Sequence, residues 1–526
     1  MRTGAFLKGG VALVLVAAAV FGCASLPPLP SLAERRSSSA FADTGATRLG
    51  TAIAPLAQAH PALTGIYPLA EGRDAFAARA LLAQGAERSL DVQYYIWRND
   101  LTGVLMLDAL RAAAARGVRV RLLLDDNNTA GLDPTLLALD REPNIEVRLF
   151  NPFARRTWRS LGYLTDFARL NRRMHNKSFT VDNQVTIVGG RNIGDEYFGA
   201  ADDVLFADLD VMAIGPAVQA VSQDFDRYWN SASAYPIATL VDAAASGGSG
   251  APAQGLAERA VALRREPAAQ AYLEAVRTLP FVELLKQRRL PIEWSPARLV
   301  SDDPAKVRGN GEAQARVGVR LRALMGEPQR QLDLVSPYFV PGKATTAELA
   351  AIAARGVTVR VLTNSLEATD VAAVHARYAK WRRALLQAGV SLYELRREGG
   401  EPQPESAPKR AGRFGSSSSS LHAKTFAVDR QRIFVGSFNF DPRSLELNTE
   451  MGLVIESPAL AAALDKRLTQ STPAHAYQVR LDPDGTLVWI EQAGQGVIRH
   501  EEEPGTGFWK RAGVRILSWL PIDWLL

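Results

Sequence analysis

The chain contains one cysteine, Cys23, in 526 residues. A disulfide within the chain is therefore excluded, and so is zinc held by paired cysteines. Histidine is scarce, with six in all. Neither HExxH nor CxxC occurs, so the usual zinc spacings are missing. Long apolar runs are missing too. The run from Val11 to Phe21 is too short for a comfortable bilayer span, and nothing later is apolar enough to cross one. Neither sign of charge dominates, and the net charge is +6. That balance favours anionic partners such as phospholipid headgroups or nucleic acid, although a solvated basic face explains it equally well.

The N-terminus has a pattern of its own. Arg2 and Lys8 give a positive start, the short apolar run follows, and Val20-Phe21-Gly22-Cys23 closes it. This resembles a bacterial lipoprotein signal, with residues 1–22 removed and Cys23 lipidated. An ordinary secretory signal and an uncleaved anchor are the alternatives. Ala24 after the cysteine leans towards the outer membrane. The body of the chain is then expected in the periplasm of a Gram-negative-type bacterium.

Beyond a flexible tether at 23–49, the chain repeats itself. Helix 74–84, strand 89–96, alanine-rich helix 103–116 and strand 118–124 form a strand-helix-strand unit in the first half. Strand 332–335, helix 346–355 and strand 357–362 replay it. Ala115-Arg116-Gly117-Val118 matches Ala354-Arg355-Gly356-Val357. The expected divisions are a lobe at 50–231, a partly helical connector at 232–308 holding Gly247 to Gly250, a lobe at 309–475, and a tail at 476–526. The tail begins with a hairpin around Asp482-Pro483-Asp484-Gly485. It ends in a Trp/Leu/basic segment that suits either a bilayer surface or a terminal element packed on the core.

Chemistry enters through a second repeat. His175, Lys177, Asp182, Gly189 and Asn192 recur with the same spacing as His422, Lys424, Asp429, Gly436 and Asn439. Each motif reads as two strands joined by a turn at the aspartate. Residues two apart on a strand share a face, so each His and Lys point into one pocket. Asp182 and Asp429 sit at the turns and read as structural members of the motif. Two lobes facing each other about a pseudo-two-fold axis would pool two imidazoles, two ammonium groups and two amides. One imidazole can attack phosphorus while the other moves the proton. Lys177, Lys424, Asn192 and Asn439 would neutralise the phosphoryl oxygens. No metal or other cofactor is then called for, which a chelator would test.

The paired motifs resemble those of the phospholipase D superfamily. Gln93-Tyr94-Tyr95-Ile96-Trp97, Arg172 to Lys177, Gly189 to Phe198, Ser336-Pro337-Tyr338-Phe339 and Leu520-Pro521-Ile522 are similar to its lipoprotein-like subgroup of bacterial cardiolipin synthases. The resemblance implies an α/β fold: a duplicated αβα sandwich with mixed, largely parallel sheets and one shared site. It implies His175 as nucleophile and His422 as acid/base. Glu450 would orient His175, and Asp208 would orient His422. Tyr94, Tyr338, Ser437, His375 and Tyr378 are the expected substrate contacts. Gly190 stands where the second motif has Ser437, a departure that makes the lobes unequal. The implied reaction moves a phosphatidyl group from phosphatidylglycerol or phosphatidylethanolamine to phosphatidylglycerol, at a membrane surface. A phospholipid hydrolase shares every catalytic residue. A nuclease is the second rival, and periplasmic anchoring argues against nucleic acid as substrate. Both lobes in one chain imply a monomer, and a helper protein is compatible with the subgroup.

Overall fold

The computed structural model describes residues 25–32, 34–35, 37–200, 205–241, 251–397, 419–493 and 496–519. The leader, Cys23, Gly247 to Gly250 and Leu520-Pro521-Ile522 lie outside the described residues.

Two large mixed sheets share one plan. From one edge, the first runs Glu293–Ser295, Thr64–Leu69, Asp210–Ile214, Val185–Gly189, Ser178–Val181, Ser89–Ile96, Arg119–Asn128, Ile145–Phe150, Ala234–Pro236. Its seven strands from Thr64–Leu69 to Ile145–Phe150 have counterparts in the same order in the second sheet. These are Ala297–Ser301, Met451–Ile455, Arg432–Gly436, Thr425–Val428, Gln331–Val335, Thr358–Asn364 and Ser391–Leu395. The second sheet continues through Ala476–Leu481, Leu487–Ala493 and Gly496–His500. The chain passes between sheets at Pro296, since Glu293–Ser295 pairs in the first and Ala297–Ser301 in the second.

Mostly parallel sheets were expected, and this is corrected. Parallel pairing joins only Ser89–Ile96, Arg119–Asn128 and Ile145–Phe150, and their three counterparts. Every other pair within the two large sheets is antiparallel, including each His/Lys motif, which is a hairpin and so cannot pair in parallel.

The turns of those hairpins are built alike. Asp182 and Asn183 have φ 50°, and Asp429 and Arg430 have φ 54° and 56°, which is the tight-turn conformation suited to strand twist. The Asp182 carboxylate accepts the amides of Glu87, Arg88 and Ser89. Asp429 accepts those of Gln329, Arg330 and Gln331. Each aspartate thus ties its hairpin to the start of the neighbouring strand, at the end of the sheet away from the histidine. Asp182→Ala is expected to cost about 2–4 kcal/mol of stability, because buried amides lose a charged acceptor. Its kcat in the surviving folded enzyme should stay near that of the parent, and thermal melts beside initial rates check both.

The sheets meet face to face. Ile66, Val211 and Ala213 of the first pack with Ala427, Ile433, Val435, Leu453 and Ile455 of the second in one apolar cluster. Helices cover the outer faces. The connector forms helices Ala251–Arg265, Pro267–Arg277 and Pro280–Lys286. They lie on the first lobe, where Ala260, Tyr272 and Phe281 join its core. Among the described residues no helix is long and apolar enough to cross a membrane.

Candidate active site

Backbone pairing across the lobes builds the site. Met174 bridges to Thr449 in parallel, and Leu421 pairs with Ala207 in the same sense. The His175 amide then donates to Thr449 O (2.9 Å), and the His422 amide to Ala207 O (2.8 Å). Each histidine therefore lies beside the residue that precedes the opposite lobe's carboxylate. His175 Nδ1 is 2.8 Å from Glu450 Oε2, and His422 Nδ1 is 2.6 Å from Asp208 Oδ2. With Nδ1 engaged, each ring leaves Nε2 for chemistry.

The lysines complete a shared, buried pocket. Lys177 Nζ donates to His175 O (2.6 Å), and Lys424 Nζ donates to His422 O. Lys177 and Lys424 each feel both Glu450 and Asp208, so the charges of the two lobes form one cluster. Burial lowers Lys177 to about 7, with Lys424 adding repulsion. Burial likewise lowers Lys424 to about 8. Burial and then Lys424 lower His422 to about 4, and burial and then the two lysines push His175 well below its ordinary value. Burial and the neighbouring ammonium groups thus bias both imidazoles towards the neutral form.

The two carboxylates differ. Burial raises Glu450 to about 7. Burial also pushes Asp208 up, but His422, Lys424 and Arg191 outweigh it and hold the carboxyl below its ordinary value. Local packing accounts for the residue pairs. A Cβ on Gly190 would meet Asp208 Oδ1 at 2.1 Å, so the shorter acid occupies the space that Ser437 fills in the other lobe. Ser437 Oγ instead donates to Glu450 Oε2, and Ser444 Oγ donates to Oε1 at 2.8 Å. Arg191 donates to Asp208 O (2.6 Å) and fixes that backbone. Asp302 does so for Glu450, accepting its amide at 3.0 Å.

The asparagines also differ. Asn192 Oδ1 accepts from the Ile96 amide (3.1 Å), and its Nδ2 donates to Tyr197 OH (3.0 Å). Asn439 Oδ1 is buried with no partner among the described residues. Tyr95 stands edge-on to His175 at 5.0 Å, and Tyr197 stands edge-on to His422 at 5.2 Å. Neither tyrosine was singled out from the sequence. Asp91 and Gln93 supply the missed signal for Tyr95, because their polar side chains mark the inner face of that strand.

The family model described as "Cardiolipin synthase, PLD-like domain" matches residues 81–229 and 321–471. "Cardiolipin synthase C" of Escherichia coli (strain K12) is 51% identical over 91% of this chain and 100% of its own length. The chain belongs to the cardiolipin synthase, PLD-like domain family. An uncharacterized protein of Helicobacter pylori (strain ATCC 700392 / 26695) is 31% identical over 89% of this chain and 91% of its own. Among solved structures, the phosphatidylserine synthase of Haemophilus influenzae Rd KW20 superposes with TM-score 0.52 at 15% identity. It covers 81% of this chain and 92% of that one. The duplicated αβα fold is shared with it.

Within these PLD-like lobes, three expected substrate contacts lie elsewhere. Tyr94 is fully buried on the outer, helix-covered face of its strand, and its OH accepts from Arg79 Nε at 2.8 Å. Strand alternation gives Tyr95, not Tyr94, to the pocket. Tyr94→Phe should cost about 1–2 kcal/mol of stability by stranding the Arg79 donor and leave turnover unchanged. Tyr95→Ala should cut turnover about tenfold, on the scale of a lost ring contact. Melting curves and initial rates separate the two. His375 and Tyr378 are buried in the second lobe's helix layer. His375 Nε2 is 2.9 Å from Glu503 Oε2, and Arg382 lies against both residues. Helix Ala372–Ala379 spends its polar face on this ion cluster, not on a headgroup. Tyr338 does remain near the site: its OH donates to Asp370 Oδ2 at 2.7 Å, and Asp370 acts on Lys424. Three arginines of the basic stretch 155–173 are held in ion pairs. Arg156 and Arg159 pair with Asp126 and Asp133, and Arg173 pairs with Asp125.

Proposed function

We propose that the chain makes cardiolipin by phosphatidyl transfer, from phosphatidylglycerol or phosphatidylethanolamine to a second phosphatidylglycerol, through a phosphohistidine on His175. The family supports the reaction class. The observation that carries the residue roles is the pair of histidine–carboxylate contacts exchanged between lobes over one lysine-lined pocket.

Neutral His175 attacks phosphorus through Nε2, and the bond to the donor headgroup oxygen breaks. His422 enters this step as the imidazolium, which Asp208 and the charge of the bound phosphodiester favour, and supplies from Nε2 the proton that this alkoxide takes up. The acceptor's hydroxyl then gives its proton back to His422 and its oxygen attacks phosphorus, releasing His175. Protons and bonds balance over the two steps. Lys177 and Lys424 neutralise the phosphoryl oxygens, and their depressed values mark the cost of holding them dry until an anion enters. The unequal carboxylates support this division of labour. Ionised Asp208 stabilises the imidazolium that His422 must become, whereas Glu450 leaves His175 the neutral ring a nucleophile requires.

Incubation with labelled phosphatidylglycerol and phosphatidylethanolamine tests the reading. Cardiolipin with released glycerol or ethanolamine supports it. Phosphatidic acid as the sole product would establish the hydrolase instead.

A further inference from the structure

Two exposed apolar elements flank the site without serving its chemistry. The first is the excursion between Phe150 and His175. Arg156 and Arg159 are tied down to Asp126 and Asp133, and between them Trp158 adopts φ 57°, ψ 44° with 79% of its surface exposed. A bulky residue in the left-handed region is a strained arrangement, and here it holds an indole outward from a fixed base. Leu164, six residues on, is 69% exposed. Tyr163 on the same excursion reaches inward, close enough to Tyr95 and Arg443 to feel both, and Tyr95 touches His175.

The second element is helix Phe508–Trp519. Its buried side, Val514 with Leu517, packs on Leu366, Ala372 and Ala376. Its other side carries Phe508, Trp509, Ile516 and Trp519, each more than half exposed. At 100° per residue those four fall within an arc of about 100°. The helix also holds Lys510, Arg511 and Arg515 and no acidic residue, with Arg511 paired to Glu502. Helix Ala372–Ala379 beneath it begins two residues after Asp370, the acceptor of Tyr338 OH and a neighbour of Lys424. Each element is thus one layer removed from the pocket, one on each lobe.

We infer that the Trp158 tip and helix Phe508–Trp519 are bilayer contacts that seat the mouth of the site on an anionic phospholipid surface. Tryptophan is favoured at the boundary between headgroups and acyl chains, and basic residues on a helix that carries no acidic residue of its own favour negative lipid. The inference rests on the lipid reading for its choice of partner. It does not rest on the roles of the histidines.

The test uses the full-length chain carrying Cys23→Ser, which is free of thiols. Single cysteines at Trp158→Cys, Trp509→Cys and, as a control, exposed Glu258→Cys receive an environment-sensitive fluorophore. Vesicles of phosphatidylglycerol and phosphatidylcholine are then added. At 158 and 509 emission should rise at least threefold, shift to the blue, and be quenched by spin labels on the acyl chains. At 258 it should not change. The response should persist with His175→Ala, so failure of the catalytic reading leaves this one standing. No response at 158 and 509, an equal response at 258, or a response without vesicles that tracks self-association would each overturn it. A second arm combines Trp509→Ser, Ile516→Ser and Trp519→Ser. Turnover on vesicles should fall at least tenfold while turnover of a short-chain, monomeric phospholipid is unchanged. Equal losses on both substrates would assign the helix a purely structural role.

Discussion

His175→Ala is expected to lower cardiolipin formation by about 10⁴-fold or more without unfolding the chain, the scale on which a nucleophile is lost. The same loss is expected for His422→Ala, so rate alone does not separate the roles. The leaving group does. A phosphatidyl ester of p-nitrophenol departs without protonation. His422→Ala should therefore regain rapid release of nitrophenol and accumulate the covalent intermediate. His175→Ala should regain nothing, because no atom remains to displace the phenolate. Nitrophenol release is followed by absorbance, and labelled phosphatidyl on the protein by precipitation. Rescue of His175→Ala in place of His422→Ala would reverse the assignment. Rescue of both would remove the covalent step.

Glu450→Gln and Asp208→Asn are expected to cost about 10²–10⁴-fold in kcat, since each amide holds its imidazole in the wrong tautomer. The two should differ in stability. Burial raises Glu450 from 4.5 to about 7 in the folded chain, so the folded state binds this proton more tightly than the unfolded state does. Its contribution is fully present below about 4.5 and is lost as pH rises towards 7. Glutamine carries no such proton. The melting temperature of Glu450→Gln relative to the parent should therefore climb between pH 5 and pH 8. Asp208 shifts the other way. It stabilises above its ordinary range and loses that contribution as pH falls, so Asp208→Asn should show no such climb. A pH-independent difference for Glu450→Gln would contradict the cause given for its shift.

Much of this site could be read from residue spacing. The two His/Lys/Asp/Gly/Asn sets match in the sequence, and the repeat that carries them recurs in space as seven strands in one order. Spacing alone could not orient neighbours of similar character. Tyr94 and Tyr95 are adjacent aromatics, and only the inward-facing Asp91 and Gln93 decide between them. The sequence of helix Ala372–Ala379 shows an amphipathic pattern but not which element meets its polar face. That face is met by Glu503, more than a hundred residues on, a long-range contact with no local trace. The sheets read as mixed and largely parallel because strand-helix-strand units are conspicuous in sequence. The antiparallel partners join strands far apart in the chain as well as the short motif hairpins, and such long-range pairing leaves no local trace.

The stereochemical course at phosphorus tests the covalent reading most directly. With a donor made chiral at phosphorus by sulfur substitution, two successive in-line displacements at one centre should give product of retained configuration. Inversion would mean that the acceptor attacks the donor in one step, and His175 would then have no bond to phosphorus to form.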